Sequence, residues 1–217
     1  MNPISRDEIA RAIADDIGIG SIVNLGIGAP TLVANHLSPE SHVVLHTENG
    51  MLNMGPEATG DEIDFDLINA GKIPVTELAG ASYFNQSDSF AMMRGGHLDV
   101  CVLGAFEVST SGDLANWITN SADAIPAVGG AMDLAIGAKN VWVMMDLLTK
   151  SGESKLVERC SYPLTGVGCV SRVYTGHGVF SLGSEGIRLE RAFGGYDLSS
   201  LEKIIGMPLT NSGGRHE

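Results

Sequence analysis

Two short apolar segments without polar alternation constrain the fold of this chain more than any other feature. The segments are VCVLGAF (100–106) and VWVMM (141–145), and each follows a turn-forming stretch. A strand with one face in water alternates apolar and polar residues, whereas a strand of a parallel sheet is covered on both faces and is apolar throughout. The sequence therefore predicts an α/β fold with a mainly parallel sheet and flanking helices.

Helix signals lie on either side of these strands. Ser5 and Glu8 have the spacing of a capping box, and three isoleucines follow at intervals of four residues. Pro30 suits the first turn of a helix over TLVANHL. The stretch LSSLEKIIG (198–206) predicts a closing helix that ends at its glycine.

Length and composition limit the domain count and the partners. A chain of 217 residues, 44% of them apolar, suits a single domain over 1–217, and we expect a mobile tail over about 210–217. The net charge of −13 argues against binding to nucleic acid or to an anionic membrane surface. Three cysteines without a C-x-x-C pair fit a reducing compartment, and no apolar stretch is long enough for a membrane span. A cytoplasmic protein is the expectation.

Three glycine-rich turns fall at the ends of predicted strands: NLGIGAP (24–30), TENG (47–50) and VGGAMD (128–133). Ligands of open α/β sheets bind outside the carboxyl ends of the strands, so these turns could line one crevice. NLGIGAP also resembles the start of a dinucleotide-binding fingerprint, but Thr31 occupies the place of the third glycine. A tight turn between a strand and a helix is the alternative interpretation of this segment.

Several isolated polar residues have a structural alternative to a catalytic role. His97 and Asp99 have an H-x-D spacing, but no second histidine cluster accompanies them, so we expect no metal site. Cys101 follows in an apolar run and is predicted to lie in the core. His46 could act as a base near Glu48, or it could be buried against the sheet.

Glu48 raises a sharper question, because it follows the predicted strand HVVLH and precedes an Asn-Gly pair. Most glutamates are solvated, and Asn-Gly is a common hairpin turn, so an ordinary turn acid is the simplest explanation. The following MLNMGP, however, does not alternate as a return strand of a hairpin would. Glu48 on its own therefore does not decide between a turn and a catalytic role.

A longer set of motifs resembles the B subunit of family I CoA-transferases, and within that family the 3-oxoadipate branch. The resemblance extends from about residue 5 to about residue 175. Its motifs, in chain order, are NLGIGAPT, TENG with MGP, INAGK, SFAMMRGGHLDVCVLGAFEV, GDLANW and VGGAMDLAIGAK. Thr47 stands where the family usually has serine, Asn53 stands where it usually has glycine, and the chain after about residue 175 follows the family poorly.

The resemblance implies a CoA-transferase-like open sheet domain with Glu48 as the nucleophile. The carboxylate would attack an acyl-CoA thioester and pass through an anhydride to a glutamyl-CoA thioester. The implied reaction moves CoA from succinyl-CoA to 3-oxoadipate in aromatic catabolism by the β-ketoadipate pathway. Acetoacetate, butyrate or another 3-oxo acid is the alternative substrate. CoA is a substrate here, and no cofactor or metal is implied.

The resemblance also assigns roles to other residues. Asn24, Gly26 and Gly28 would line the thioester side of the crevice. The residues expected to contact the CoA arm or the reacting carbonyl are Lys72, Asn116, Gly129, Gly130 and Ala131. Arg94 is a candidate for binding the distal carboxylate of 3-oxoadipate, and a turn-stabilising role is the alternative.

The family works with two related domains, here expected on separate chains. An A subunit would complete the crevice in a heterotetramer of two A and two B subunits, and its basic groups would meet the CoA phosphates. Two rival functions remain open at this point. One is a non-catalytic binding domain on the same fold, and the other is a nucleotide-binding module built on NLGIGAP.

Overall fold

The computed structural model describes residues 1–121 and 123–211, which form a ten-stranded sheet, a three-stranded sheet and four α-helices. Numbered along the chain, the strands are β1 (Ile22–Leu25), β2 (Val44–Thr47), β3 (Met51–Glu57), β4 (Val75–Tyr83), β5 (Val100–Leu103), β6 (Glu107–Ser109), β7 (Leu114–Ala115), β8 (Asn140–Met144), β9 (Leu156–Val157), β10 (Val170–Tyr174), β11 (Gly178–Gly183), β12 (Gly186–Ala192) and β13 (Thr210–Asn211). The α-helices are α1 (Arg6–Asp16), α2 (Gln86–Arg94), α3 (Ala131–Gly137) and α4 (Leu198–Ile205).

The larger sheet has the strand order β13-β12-β11-β10-β8-β5-β1-β2-β3-β4. Its centre, from β10 to β2, is parallel, and β13 also runs parallel to β12. The pairs β2–β3, β3–β4, β10–β11 and β11–β12 are antiparallel. The sheet is therefore mixed, and the prediction of a mainly parallel sheet is wrong at both edges, although the α/β class is correct. Three of these antiparallel pairs are joined by tight turns, which cannot connect parallel strands.

The central strands are buried on both faces, as the unbroken apolar segments predicted. Alternate residues of β5 and β8 enter two separate cores: one takes Cys101, Leu103, Val141 and Val143, and the other takes Val100, Val102, Trp142 and Met144. Residues of α2, α3 and α4 cover the first face, and residues of α1 and the 3-10 helix Ala29–His36 cover the second. Each fully buried aliphatic side chain contributes about 1.5–3 kcal/mol.

The helix ends follow local sequence signals. Ser5 Oγ accepts a hydrogen bond from the Glu8 N–H, and the Glu8 carboxylate accepts one from the Ser5 N–H, so the predicted capping box forms. The segment that begins at Ala29 and contains Pro30 is a 3-10 helix. Helix α4 ends at Gly206, whose φ of 77° is the left-handed conformation expected of a glycine cap.

The chain end described by the structure belongs to the sheet. Thr210 and Asn211 form β13 and pair with β12, so the predicted tail does not begin at about residue 210. The rest of the predicted tail, 212–217, lies outside the described residues. Among the helices of 1–121 and 123–211, none is both long and apolar enough to cross a membrane.

Close contact between α2 and α3 determines where the loop before α3 lies. Gly137, the last residue of α3, sits so near α2 that a Cβ added to it would collide with the Met93 carbonyl oxygen. Only glycine permits this approach. The packing places the start of α3 next to the sheet edge where β2 ends.

We expect Gly137→Ala to lower the free energy of unfolding by about 1–3 kcal/mol, because the added methyl group forces the two helices apart. Urea unfolding followed by circular dichroism measures the change. The matched control is Gly183→Ala, since a Cβ at Gly183 would have no neighbour within 4 Å. Equal effects of the two substitutions would contradict the packing explanation.

Candidate active site

A cleft of about 460 Å³ opens at the carboxyl ends of β1, β2 and β5. Five segments line it: 24–27 after β1, 46–48 after β2, 103–106 after β5, 69–71, and 127–131 at the start of α3. This is the edge at which ligands of open α/β sheets bind. Among the residues lining the cleft, Glu48 is the only one with a side chain that is formally charged at neutral pH.

Glu48 stands at the first position of the turn that joins β2 to β3. The Gly50 N–H donates to the Thr47 carbonyl oxygen at 3.2 Å, and the Met51 N–H donates to Thr47 Oγ1 at 3.1 Å. Gly50 has a φ of 118°, and a Cβ on it would collide with the Phe84 carbonyl oxygen. The Asn-Gly turn is therefore a hairpin, and it presents the Glu48 side chain to the cleft.

Strand β3 corrects one interpretation of the sequence. MLNMGP was not expected to form a return strand, yet Met51 and Leu52 pair antiparallel with β2. Asn53 interrupts the alternation because its φ is 62° and the register shifts on either side of it, which is the signature of a bulge. A left-handed backbone at this position also accounts for the glycine expected there, and asparagine tolerates the same conformation.

Two glycines make room for the Glu48 carboxylate. The Gly130 N–H donates to Glu48 Oε2 at 3.2 Å, and a Cβ on Gly130 would collide with that same oxygen. Gly129 has a φ of 48°, and a Cβ on it would lie 3.8 Å from Glu48 Oε1. Glycine at these two positions therefore lets the backbone approach the carboxylate closely enough for a hydrogen bond.

A buried hydrogen-bond chain fixes the end of β2 beneath Glu48. Asn24 Nδ2 donates to the His46 carbonyl oxygen at 3.1 Å and lies 3.0 Å from His46 Nδ1. The hydrogen-bond pattern assigns the imidazole proton to Nε2, which donates to Ser89 Oγ at 3.0 Å. The Ser89 hydroxyl in turn donates to the Thr47 carbonyl oxygen at 3.0 Å. The chain links β1, β2 and α2 directly behind the Glu48 turn.

His46 is therefore a structural residue in this arrangement. Burial lowers the pKa of His46 to about 4, so the imidazole is neutral at physiological pH. Both ring nitrogens already have partners, which favours the buried alternative over a base acting on Glu48. Asn24 uses both amide hydrogens on His46, and only its Oδ1 is left to face the cleft.

The other predicted site residues divide into two groups. Gly26, Asn116 and Ala131 line the cleft with Asn24, Glu48, Gly129 and Gly130. Asn116 Nδ2 donates to the Gly104 carbonyl oxygen at 3.0 Å, and its Oδ1 accepts from Thr165 Oγ1 at 2.6 Å. Gly28 and Lys72 are not among the lining residues, although Lys72 directly follows the lining segment 69–71.

Arg94 does not reach the cleft. Its Nε forms an ion pair with Asp133 Oδ1 at 2.6 Å, and its guanidinium lies over the Phe90 ring. The side chain is 66% exposed and does not contribute to the cleft lining. The turn-stabilising alternative for Arg94 fits this geometry, and the substrate-binding role does not.

Two further polar candidates also have structural partners. Asp99 accepts hydrogen bonds from the Ile22 N–H and from Lys139 Nζ, both at 2.8 Å, so it holds the amino ends of neighbouring strands together. The Cys101 thiol is fully buried, and burial raises its pKa. Cys101 is a core residue, as predicted.

Asn69 is a lining residue that the sequence analysis missed. Its Oδ1 accepts hydrogen bonds from the Gly71 N–H at 2.8 Å and the Ile73 N–H at 3.1 Å, and these bonds bend segment 69–71 over the cleft. Asparagine commonly stabilises turns in this way. The signal is present in the motif INAGK, in which the asparagine, and not the lysine, turns out to line the cleft.

The chain belongs to the Coenzyme A transferase family, whose pattern matches residues 6–191. This membership confirms the resemblance found in the sequence. The chain is 58% identical over 206 residues to the B subunit of the 3-oxoadipate CoA-transferase of Pseudomonas putida, covering 95% of this chain and 96% of the relative. It is 46% identical over 198 residues to the B subunit of the succinyl-CoA:3-ketoacid coenzyme A transferase of Helicobacter pylori, covering 91% and 95%.

The fold also matches a solved acyl-CoA transferase, the apoenzyme from Escherichia coli O157:H7. The TM-score is 0.73 at 22% identity, and the match covers 98% of this chain. It covers 43% of the longer Escherichia coli chain, so this chain spans less than half of that protein.

The hydrogen-bond chain behind Glu48 predicts a specific stability effect. Ser89→Ala should lower the free energy of unfolding by about 1–3 kcal/mol, because it leaves the His46 Nε2–H and the Thr47 carbonyl oxygen without a partner in a buried place. Chemical unfolding measures the loss. Ser87→Ala, an exposed position on the same helix, is the control and should change stability by less than about 0.5 kcal/mol. A harmless Ser89→Ala would show that the chain contributes little.

Proposed function

We propose that this chain is the nucleophile-bearing B subunit of an enzyme that moves CoA from succinyl-CoA to 3-oxoadipate. The observation that carries the proposal is the lone Glu48 carboxylate in the cleft, held by the Gly130 N–H. The Pseudomonas putida relative, which is named for 3-oxoadipate, supports the substrate and the place of the reaction in the β-ketoadipate pathway.

In the proposed mechanism, a Glu48 oxygen attacks the thioester carbonyl carbon of succinyl-CoA. The carbon–sulfur bond breaks, giving a succinyl-glutamyl anhydride and the CoA thiolate. The thiolate then attacks the Glu48 carbonyl carbon, which releases succinate and leaves a glutamyl-CoA thioester. The 3-oxoadipate carboxylate reverses these steps and leaves with CoA, which splits one difficult exchange into easier ones.

The site suits a reaction that needs no proton transfer. Attacking and leaving groups are anions at every step, carboxylate or thiolate, so no general acid or base is required. A neutral His46 with both nitrogens occupied is compatible with this chemistry. The Gly130 N–H would stay next to the Glu48 oxygen as negative charge develops on it in the tetrahedral intermediate.

An A subunit would complete the site and exclude water from the anhydride. Apolar side chains at the mouth of the cleft are exposed, Ile27 at 63%, Phe106 at 40% and Val128 at 37%, and a partner could cover them. The Pseudomonas putida and Helicobacter pylori relatives are both named as one of two lettered subunits, which supports a partner chain. We propose a cytoplasmic heterotetramer of two A and two B subunits, with no activity in this chain alone.

A second candidate is CoA transfer to acetoacetate or a similar 3-oxo acid with one carboxylate. One observation favours it: no lysine or arginine is among the residues lining the cleft, so this chain supplies no cation there for a second carboxylate. The Helicobacter pylori relative carries a succinyl-CoA:3-ketoacid name. Recognition of 3-oxoadipate would then depend on amide groups such as Asn69 and Asn116, or on the A subunit.

Glu48→Ala should abolish CoA transfer in the assembled enzyme and leave folding intact, because the substitution removes the nucleophile. Glu48→Asp should also lose most activity, since a shorter arm withdraws the carboxylate from the thioester. Treating the wild type with succinyl-CoA and then borohydride should convert Glu48 to an alcohol, which peptide mass mapping locates. The exposed Glu62→Ala is the control and should keep full activity. Modification at another residue, or an active Glu48→Ala variant, would refute the assignment.

The substrate proposal has its own test. In the assembled enzyme, kcat/KM for 3-oxoadipate should exceed kcat/KM for acetoacetate by about 100-fold or more, because groups that bind the second carboxylate are left unpaired by acetoacetate. Steady-state rates with succinyl-CoA as donor give both values. Equal values, or a preference for acetoacetate, would favour the second candidate without affecting the role of Glu48.

A further inference from the structure

Lys155 has an unusual environment for a lysine of an acidic protein. Its side chain is half-buried, and its Nζ donates to the Ala105 carbonyl oxygen at 2.7 Å. No ion pair within the described part of the chain includes it. Burial lowers the pKa of Lys155. Two of the three ammonium hydrogens are therefore available to an acceptor from outside the chain.

A small cavity beside the Glu48 cleft contains this ammonium group. The cavity has a volume of about 180 Å³ and is lined by Arg6, Asp146 and Lys155 among others. It shares Ile27, with Gly104 and Ala105, with the Glu48 cleft, so the two spaces adjoin across one wall. Two cations and one carboxylate give the cavity a formal charge of +1, whereas the Glu48 cleft has no cation in its lining.

Asp146 does not cancel the positive charge of this cavity. It accepts hydrogen bonds from Arg6 Nη2 at 2.6 Å and Arg6 Nε at 3.4 Å. A guanidinium group has five N–H donors, so three of those on Arg6 remain. Arg6 and Lys155 together can therefore offer several charge-assisted hydrogen bonds to one anion.

The sheet sets the distance between this cavity and the nucleophile. Glu48 follows β2, Asp146 follows β8, and the order β8-β5-β1-β2 separates the two loops by three strand spacings. At about 4.8 Å per spacing, the separation is about 14 Å. The pantetheine arm of CoA has 13 bonds from sulfur to the first phosphorus. At the rise of an extended chain, roughly 3.5 Å for every three bonds, the arm spans about 15 Å.

We propose that Arg6 and Lys155 bind the phosphate at the end of the pantetheine arm while the sulfur of CoA lies at Glu48. This inference rests on the proposed CoA-transferase function. The arm would run across the wall formed by Ile27, Gly104 and Ala105. A six-carbon dicarboxylate spans only about 6 Å between its carboxylates by the same measure, so the acceptor acid is too short to reach both places. The phosphate thus has a site on this chain, besides any basic groups of the partner.

Direct binding tests the proposal without any catalytic step. In the complex with the A subunit, 4′-phosphopantetheine should bind at least about tenfold more tightly than pantetheine, because only the first compound has the phosphate. Calorimetry measures both dissociation constants. Lys155→Met should reduce that ratio to about two or less. Arg6→Met, at an exposed position where misfolding is no concern, should reduce it to an intermediate value.

Lys139→Met is the matched control, since it removes the same charge at the opposite end of β8 and should leave the ratio unchanged. Equal binding of the two compounds by the wild type would overturn the proposal, as would a ratio that survives both substitutions. A higher KM for 3-oxoadipate in Lys155→Met with an unchanged binding ratio would assign the cations to the acid instead, and would also overturn it. Failure of Glu48 trapping with the expected ratio would reject the transfer mechanism and keep the phosphate site.

Discussion

Parallel pairing of β8, β5, β1 and β2 is the constraint on which the rest of the structure depends. Because these strands run the same way, their carboxyl ends meet at one edge of the sheet, and the loops that follow them are neighbours. Burial on both faces fixes the register, since a slip of one residue would exchange the side chains of the two cores. The Glu48 turn and the Lys155 cavity owe their separation to this pairing.

Charge is distributed around the cleft so that the nucleophile stands alone. The chain has a net charge of −13, yet Glu48 is the only formally charged residue lining the cleft. Arg94 is held by Asp133, Lys139 is held by Asp99, and His46 is kept neutral by burial. A carboxylate without a cation next to it keeps its electron pairs available for attack, and the Gly130 N–H provides orientation without a countercharge.

Local features were predictable from the sequence wherever a residue acts on its near neighbours. The capping box of Ser5 and Glu8 is one case, and the doubly buried strands β5 and β8 are another. Strand β3 was missed because its bulge at Asn53 destroys the alternation by which a strand is recognised. Arg94 was misjudged because its partner, Asp133, lies 39 residues away in the chain.

The sequence by itself determined the α/β class, the family and the glutamate at a strand end, because these depend on apolar periodicity, turn chemistry and motif order. Only the tertiary structure decided what surrounds that glutamate. The Gly130 N–H comes from 82 residues along the chain, and Ser89 closes the hydrogen-bond chain from 43 residues beyond His46. Contacts at such separations are set by strand order and helix packing, which no local pattern specifies.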